Sequence, residues 1–234
     1  MKSLSLIIFL FLIIFHARSQ EYEFDIHRKK LSDVIKLEQT LGSEPSKTNY
    51  KHMLPAGVAQ PILFTRKQHN IPDLQVLYFY YEKDSTFYSI VYEWDESNKT
   101  GYLENNKKSQ EFMKNLIQKY NDLEKLISKE FGQSKSEGKL SPLSKSEKEG
   151  GLTKRDVWNP DDSTEIELTT VISNYYEKKN MVTTNPSHRI RLYVRNTQQK
   201  LTPSPKLSQG KIDSLTLVAR SLFQTLANKN FEQA

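Results

Sequence analysis

Three groups of side chains in this sequence stand at spacings that could do chemistry. Glu93, Asp95 and Glu96 flank Trp94, and Asp161 and Asp162 follow closely after Trp158. Glycoside hydrolysis needs two carboxyl groups, one to protonate the leaving oxygen and one to attack or to activate water. Asp95 or Glu96 acting with Asp161 or Asp162 is the combination an exported glycan hydrolase would use. The second group, Arg189, Arg191 and Arg195, alternates along one strand and could hold anions. Glu165 and Glu167 alternate on the strand before it, so cross-strand ion pairs are the expected use of those arginines. The third group is aromatic: Tyr78, Phe79, Tyr80, Tyr81, Phe87, Tyr88, Tyr92 and Trp94 crowd one short stretch. Tyr and Trp combine a rigid apolar body with a polar tip, which suits both a core and a recognition surface.

Other chemistries lack their residues. The chain has no cysteine, which excludes disulfides, thiolate metal sites and a cysteine nucleophile. His27, His52, His69 and His188 fall in no metal-ligand spacing. There is no Gly-x-Ser-x-Gly elbow for a serine nucleophile and no Gly-rich phosphate loop. No cofactor and no metal are expected. The positive and negative charges interleave, which gives little electrostatic footprint for nucleic acid.

The positioning elements begin with an export signal. Lys2 precedes an apolar run over 4–15, and Ala17-Arg18-Ser19 supplies the small residues of a cleavage site, so residues 1–19 read as a signal peptide cut near Ser19. The run is shorter than the roughly 20 residues a membrane span needs. Lys2 and Arg18 leave with it, so the formal charge falls from +6 to +4. The rest of the chain has no second long apolar run, and no membrane span is expected after signal removal. The expected location is secreted or periplasmic. A cysteine-free exported domain fits a bacterial envelope better than an animal secretory pathway.

Residues 20–72 form a charged N-terminal segment. Leu31, Val34, Ile35, Leu37 and Leu41 follow the helical period and stop at Gly42, with Glu38 interrupting the apolar arc. Four prolines between 43 and 72 leave room only for a short strand at 62–65. The α+β domain follows over 73–229. A hairpin at 73–95 turns at Glu82-Lys83-Asp84-Ser85 and pairs Tyr80 with Phe87, Phe79 with Tyr88 and Leu77 with Ile90. That register puts Leu77, Phe79, Tyr88, Ile90, Tyr92 and Trp94 on one face, and Leu74, Val76, Tyr78, Tyr80, Phe87 and Val91 on the other. Both faces are apolar, so the hairpin is either covered on two sides or keeps one face for a ligand.

Phe112, Leu116, Tyr120, Leu123, Ile127 and Phe131 mark a helix over 109–131, with Ser109 as its N-cap and Gly132 at its end. The Ser/Lys/Glu/Gly run at 133–151 reads as a mobile linker. Strands follow near 152–158, 163–173 and 187–195, with a polar loop at 174–186. Ile166, Leu168, Thr170, Ile172, Ile190, Leu192 and Val194 face inward on these strands, and Arg189, Arg191, Tyr193 and Arg195 face outward. A last helix spans 209–229. The expected fold is α+β, an antiparallel sheet of about five strands packed by helices 109–131 and 209–229.

A long helix ending in Phe131-Gly132, a linker, a strand carrying Trp158 and then Ile-x-Leu strands together resemble uncharacterised small exported bacterial α+β proteins. The resemblance covers about 75–195 and implies a fold unit with no activity attached. The leading functional expectation is therefore an exported, non-catalytic binding or structural envelope protein. Its protein or glycan partner would meet the aromatic hairpin face at Tyr78, Tyr80, Phe87 and Trp94. The glycan hydrolase is one alternative and an inhibitor or immunity-type protein is another.

Overall fold

The structure, a computed structural model, describes residues 21–46, 51–100, 106–180 and 182–198. By its internal contacts the chain divides into Met1–Gln199 and Lys200–Ala234, and every described residue lies in the first unit. The signal peptide expected at 1–19 and the helix expected at 209–229 fall outside the described residues.

The class is α+β, with an antiparallel sheet of eight strands where about five were expected. In chain order the strands are β1 (Glu44–Ser46), β2 (Ile62–Arg66), β3 (Leu74–Tyr80), β4 (Phe87–Asp95), β5 (Lys135–Lys139), β6 (Leu152–Asp161), β7 (Thr164–Ser173) and β10 (Ser187–Asn196). They lie side by side as β1-β2-β3-β4-β10-β7-β6-β5. A separate two-stranded ribbon, β8 (Glu177–Lys179) with β9 (Val182–Thr184), stands in the segment read as a polar loop. The helices are α1 (Leu31–Thr40), the single turn α2 (Ser97–Thr100) and α3 (Gln110–Phe131).

Helix α3 forms where its sequence dictates. The Ser109 hydroxyl accepts from the Phe112 amide, and Gly132 closes the last turn at φ 84°, a left-handed conformation that glycine adopts without strain. Met113, Leu116, Tyr120, Leu123 and Ile127 are its buried stripe, and it packs on β6, β7 and β10. The inward residues of β7 and β10 are those the alternation predicts: Ile166, Leu168, Thr170, Ile172, Ile190, Leu192 and Val194 are all buried.

The hairpin departs from expectation in register. Tyr80 pairs with Phe87 as predicted, but one extra residue, Tyr88, bulges from β4, and the next pairs are Phe79–Ser89, Tyr78–Ile90 and Leu77–Val91. One inserted residue moves every later side chain to the opposite face. Ile90, Tyr92 and Trp94 thereby join Leu74, Val76 and Tyr78 on a single interior face, under α1 and the arm 21–27. On the other face Leu77 and Phe79 gather with Leu63 and Val58, flanked by half-buried Leu54, Tyr81, Tyr88 and Val91. The hairpin is fully covered on its interior face, while its other face buries Leu77 and Phe79 and leaves Tyr88 and Val91 half-exposed.

The run at 133–151 is more than a linker. It supplies the edge strand β5 and a 3-10 helix at Leu143–Glu147, with Ser146 buried and Leu140 and Leu143 against the core. Strand β5 has every residue exposed, so it is held by main-chain pairing to β6 and needs little apolar content. Its charged Lys135, Glu137 and Lys139 guard the sheet edge, as Pro45 does at β1 on the opposite edge. Gly138 is required in β5: its φ is 85°, and a Cβ there would meet the Thr153 carbonyl oxygen at 2.2 Å. Gly138→Ala should cost about 1–3 kcal/mol by strain and lost pairing. Thermal melting reads the cost, and faster amide exchange confined to 135–139 reads the lost strand.

Candidate functional site

The residues expected to form a binding face are mostly interior. Tyr78, Phe87 and Trp94 expose no surface, and Tyr80 is half-buried against the same core. A partner cannot touch Tyr78, Phe87 or Trp94 in the folded protein, so the expectation is corrected for those three. For Trp94 the cause is the Tyr88 bulge, which turns it onto the face that Tyr78 and Phe87 already share, and residues of the arm and α1 cover that face. Trp94 packs beneath Tyr22 and under the Lys119 ammonium, 5.1 Å from its ring, and its indole N–H finds no partner among the described residues.

Tyr78 belongs to a buried polar cluster. Its hydroxyl donates to Glu38 Oε1 at 2.5 Å, and Arg66 donates to both oxygens of the same carboxylate, from Nε at 2.9 Å and Nη2 at 2.5 Å. Ser43 also donates to Glu38, and Arg66 Nη1 reaches the Glu21 carbonyl at 2.7 Å. Every polar atom of Glu38 and Arg66 is engaged within the fold, so the cluster anchors α1 and the N-terminal arm and leaves no group for a ligand.

The carboxylates proposed for glycan chemistry lie at opposite ends of the sheet. Asp95 is level with Arg189 on β10, whereas Asp161 pairs with Thr164, which is level with Asn196 at the other end of that strand. From Arg189 to Asn196 the strand runs about 23 Å at its ordinary rise. Glycosidase carboxyls stand roughly 5–9.5 Å apart. Asp95 is already engaged by Ser97, Arg189 and Arg191, and Glu96 by Lys108. These pairs cannot share a glycosidic bond.

A serine, a histidine and an aspartate do meet, although their sequence separation hides it. His27 Nε2 lies 2.9 Å from Ser163 Oγ and 3.0 Å from Thr164 Oγ1, and Asp161 is within reach of both hydroxyls. An ionised carboxylate only accepts, so both hydroxyl protons go to Asp161 and His27 Nε2 must donate. A serine nucleophile needs the reverse, its proton aimed at an accepting imidazole that the acid orients. The trio therefore works as a latch. It ties the arm to the β6–β7 turn beside a cleft of about 150 Å³ that Phe24, Arg28 and Phe131 also line. Among the described residues no group of three or more His, Asp or Glu could hold a metal ion.

The remaining candidate is the outer face of β4, β10, β7 and β6. Tyr193 stands level with Val91 on one side and Glu167 on the other. The Arg195 guanidinium lies over the Tyr193 ring, 4.2 Å from its centroid. Arg195 is paired with Glu165 at 2.8 Å and with Glu167, and Glu167 also accepts from Arg155 at 2.9 Å. Arg191 pairs with Glu93. Burial would raise the Glu167 carboxyl, but Arg155 and Arg195 outweigh it and hold that group below its ordinary range. The cross-strand pairs predicted from the alternation are present, and the face carries its charges in matched sets. Tyr88, Val91 and Tyr193 remain half-exposed among them. Sequence reading placed Tyr193 and the arginines outward. It did not single out Tyr193, whose signal was an aromatic residue alternating with arginines. Comparison with known proteins finds no matching family model, no matching curated protein and no matching solved structure.

Proposed function

We propose that the chain is an exported, non-catalytic binding module of a bacterial envelope, secreted or periplasmic, and that a protein partner meets it on the outer face of β4, β10 and β7. The observation that carries this reading is the patch formed by Tyr193, Tyr88 and Val91 with the Arg195 guanidinium stacked on Tyr193. Tyrosine and arginine set in apolar surroundings are the residue types that dominate protein interfaces. The arginines are already neutralised by Glu93, Glu165 and Glu167, so the face offers little attraction to a polyanion and suits a protein surface better than nucleic acid or an acidic glycan. Lys2, the apolar run over 4–15 and Ala17-Arg18-Ser19 support export. No helix among the described residues is long and apolar enough to cross a membrane.

The test uses the full chain with a C-terminal tag, produced in its source organism and recovered from envelope extract. One dominant retained protein is expected. Tyr193→Ala combined with Tyr88→Ala should weaken its binding by about tenfold or more, as loss of a hot spot does, at an unchanged melting temperature. Equal retention by the double variant, or no specific protein retained, would sink the proposal.

A further inference from the structure

At the end of the sheet away from Asp161, one amide side chain stitches four elements together. Asn174 follows β7 and is 4 % exposed. Its Oδ1 accepts from the Lys108 backbone N–H at 2.9 Å, and its Nδ2 donates to the Lys108 carbonyl at 3.0 Å and to Glu147 Oε1 at 2.7 Å. Its own backbone N–H donates to the Ser146 carbonyl at 2.8 Å. Lys108 leads into α3, and Ser146 and Glu147 belong to the 3-10 helix. The fourth element is β10, through His188 Nε2, 3.0 Å from Asn174 Oδ1.

The hydrogen bonds fix the state of that histidine. A backbone N–H can only donate, so the atom facing Lys108 N is an oxygen and the Asn174 amide has one orientation. His188 Nε2 faces the same oxygen and must carry its proton, which leaves Nδ1 as the bare nitrogen of a neutral ring. The ring is 3 % exposed, with Phe112 set edge-on at 5.9 Å. A second proton would place a full charge there. From the segment before α3 the nearby group is Lys108, of like sign, already paired with Glu96 of the β4 end at 2.6 Å. From β4 itself it is Asp95, engaged by Arg189, Arg191 and Ser97. From the 3-10 helix it is Glu147, half-exposed and shared between Asn174 and Lys107. Burial, and then Lys108, lower the imidazole to about 4.

We propose that the His188–Asn174 junction is an acid-sensitive clasp: protonation of His188 opens the contacts among β7, β10, the start of α3 and the 3-10 helix while the rest of the sheet stays folded. A histidine that titrates lower closed than open makes opening easier as pH falls. The opening equilibrium should rise by about tenfold per pH unit from roughly pH 6.5 toward 4, then level off.

Amide exchange of the full chain between pH 7 and 4, corrected for the intrinsic chemistry of exchange, tests this. The Lys108 and Asn174 amides should lose protection with that slope, while those of Tyr78 and Leu168 keep theirs. His188→Gln retains a donor toward Asn174 and cannot titrate, and its profile should be flat. An unchanged profile in His188→Gln, or simultaneous loss of protection at Tyr78 and Leu168, overturns the clasp. Should that variant fail to fold, NMR titration of the His188 ring in the unaltered protein decides. A midpoint near 4 is expected, and one at or above 6.5 overturns the proposal.

Discussion

Glu38→Ala should destabilise the fold by about 3–5 kcal/mol, the range for leaving one member of a buried ion pair alone. The carboxylate has no exposed surface, and Arg66 is 6 % exposed. Removing it takes two acceptors from the guanidinium, which keeps only the Glu21 carbonyl and Ser43 Oγ at 3.2 Å. It also strips the acceptor from Tyr78. Burial, with Tyr92 and Glu38 beside it, pushes that hydroxyl above its ordinary value, so it stays a donor with nothing to receive it. For a domain of this size the loss lowers Tm by about 2–4 °C per kcal/mol. The double variant Glu38→Leu with Arg66→Met should cost less than Glu38→Ala alone, because no charge is stranded. Urea unfolding of the two singles and the double gives the coupling directly. If Glu38→Ala costs under 1 kcal/mol, the pair is hydrated in solution and does not hold α1 on the sheet.

How far the sequence revealed this cluster follows from its parts. Glu38 was visible as an acid interrupting the apolar arc of α1, and a charge on a core-facing stripe is the signal of a buried pair. Its partner was not visible. Arg66 sits 28 positions away at the end of a short strand, and nothing local marks an arginine as inward-facing. The same division holds across the fold. Helix α3 and strands β7 and β10 were legible because each repeats one burial pattern several times and α3 carries its own caps. Strands β1, β5, β8 and β9 were not, because short edge strands are held by main-chain bonds and need no alternation. The hairpin was legible as a hairpin, but its faces were inverted beyond Tyr88 because a bulge is a choice between two registers that the same residues fit. That one residue decided whether Trp94 was core or surface. It also moved the candidate site from the hairpin's large aromatics to Tyr193.

Asp156 gives the second large effect, and it carries a pH signature. It has no exposed surface on β6, and it accepts from Tyr120 at 2.6 Å, from Ser134 at 2.9 Å and from the Lys154 ammonium at 3.1 Å. These groups join α3, the start of the 133–151 run and the sheet at one carboxylate. Asp156→Leu leaves Ser134 and a half-buried ammonium without that acceptor, though Tyr120 keeps the Leu168 carbonyl at 3.1 Å and Lys154 keeps Glu124. The expected loss is about 3 kcal/mol. Asp156→Asn retains one acceptor and should lose about half as much. Burial alone would raise the Asp156 carboxyl, but hydrogen bonds from Tyr120, Ser136, Lys154 and Ser134 overcome it and leave the group below its ordinary 3.8. A carboxyl that titrates lower folded than unfolded contributes stability above the unfolded value, and loses it as pH falls through the folded one. The gap between the unaltered protein and Asp156→Asn should therefore be full at pH 7 and close on acidification below about 4. Paired urea titrations at pH 7, 5 and 3 measure it. A gap that persists unchanged at pH 3 would mean that packing of the side chain, and not its charge, holds α3 to the sheet.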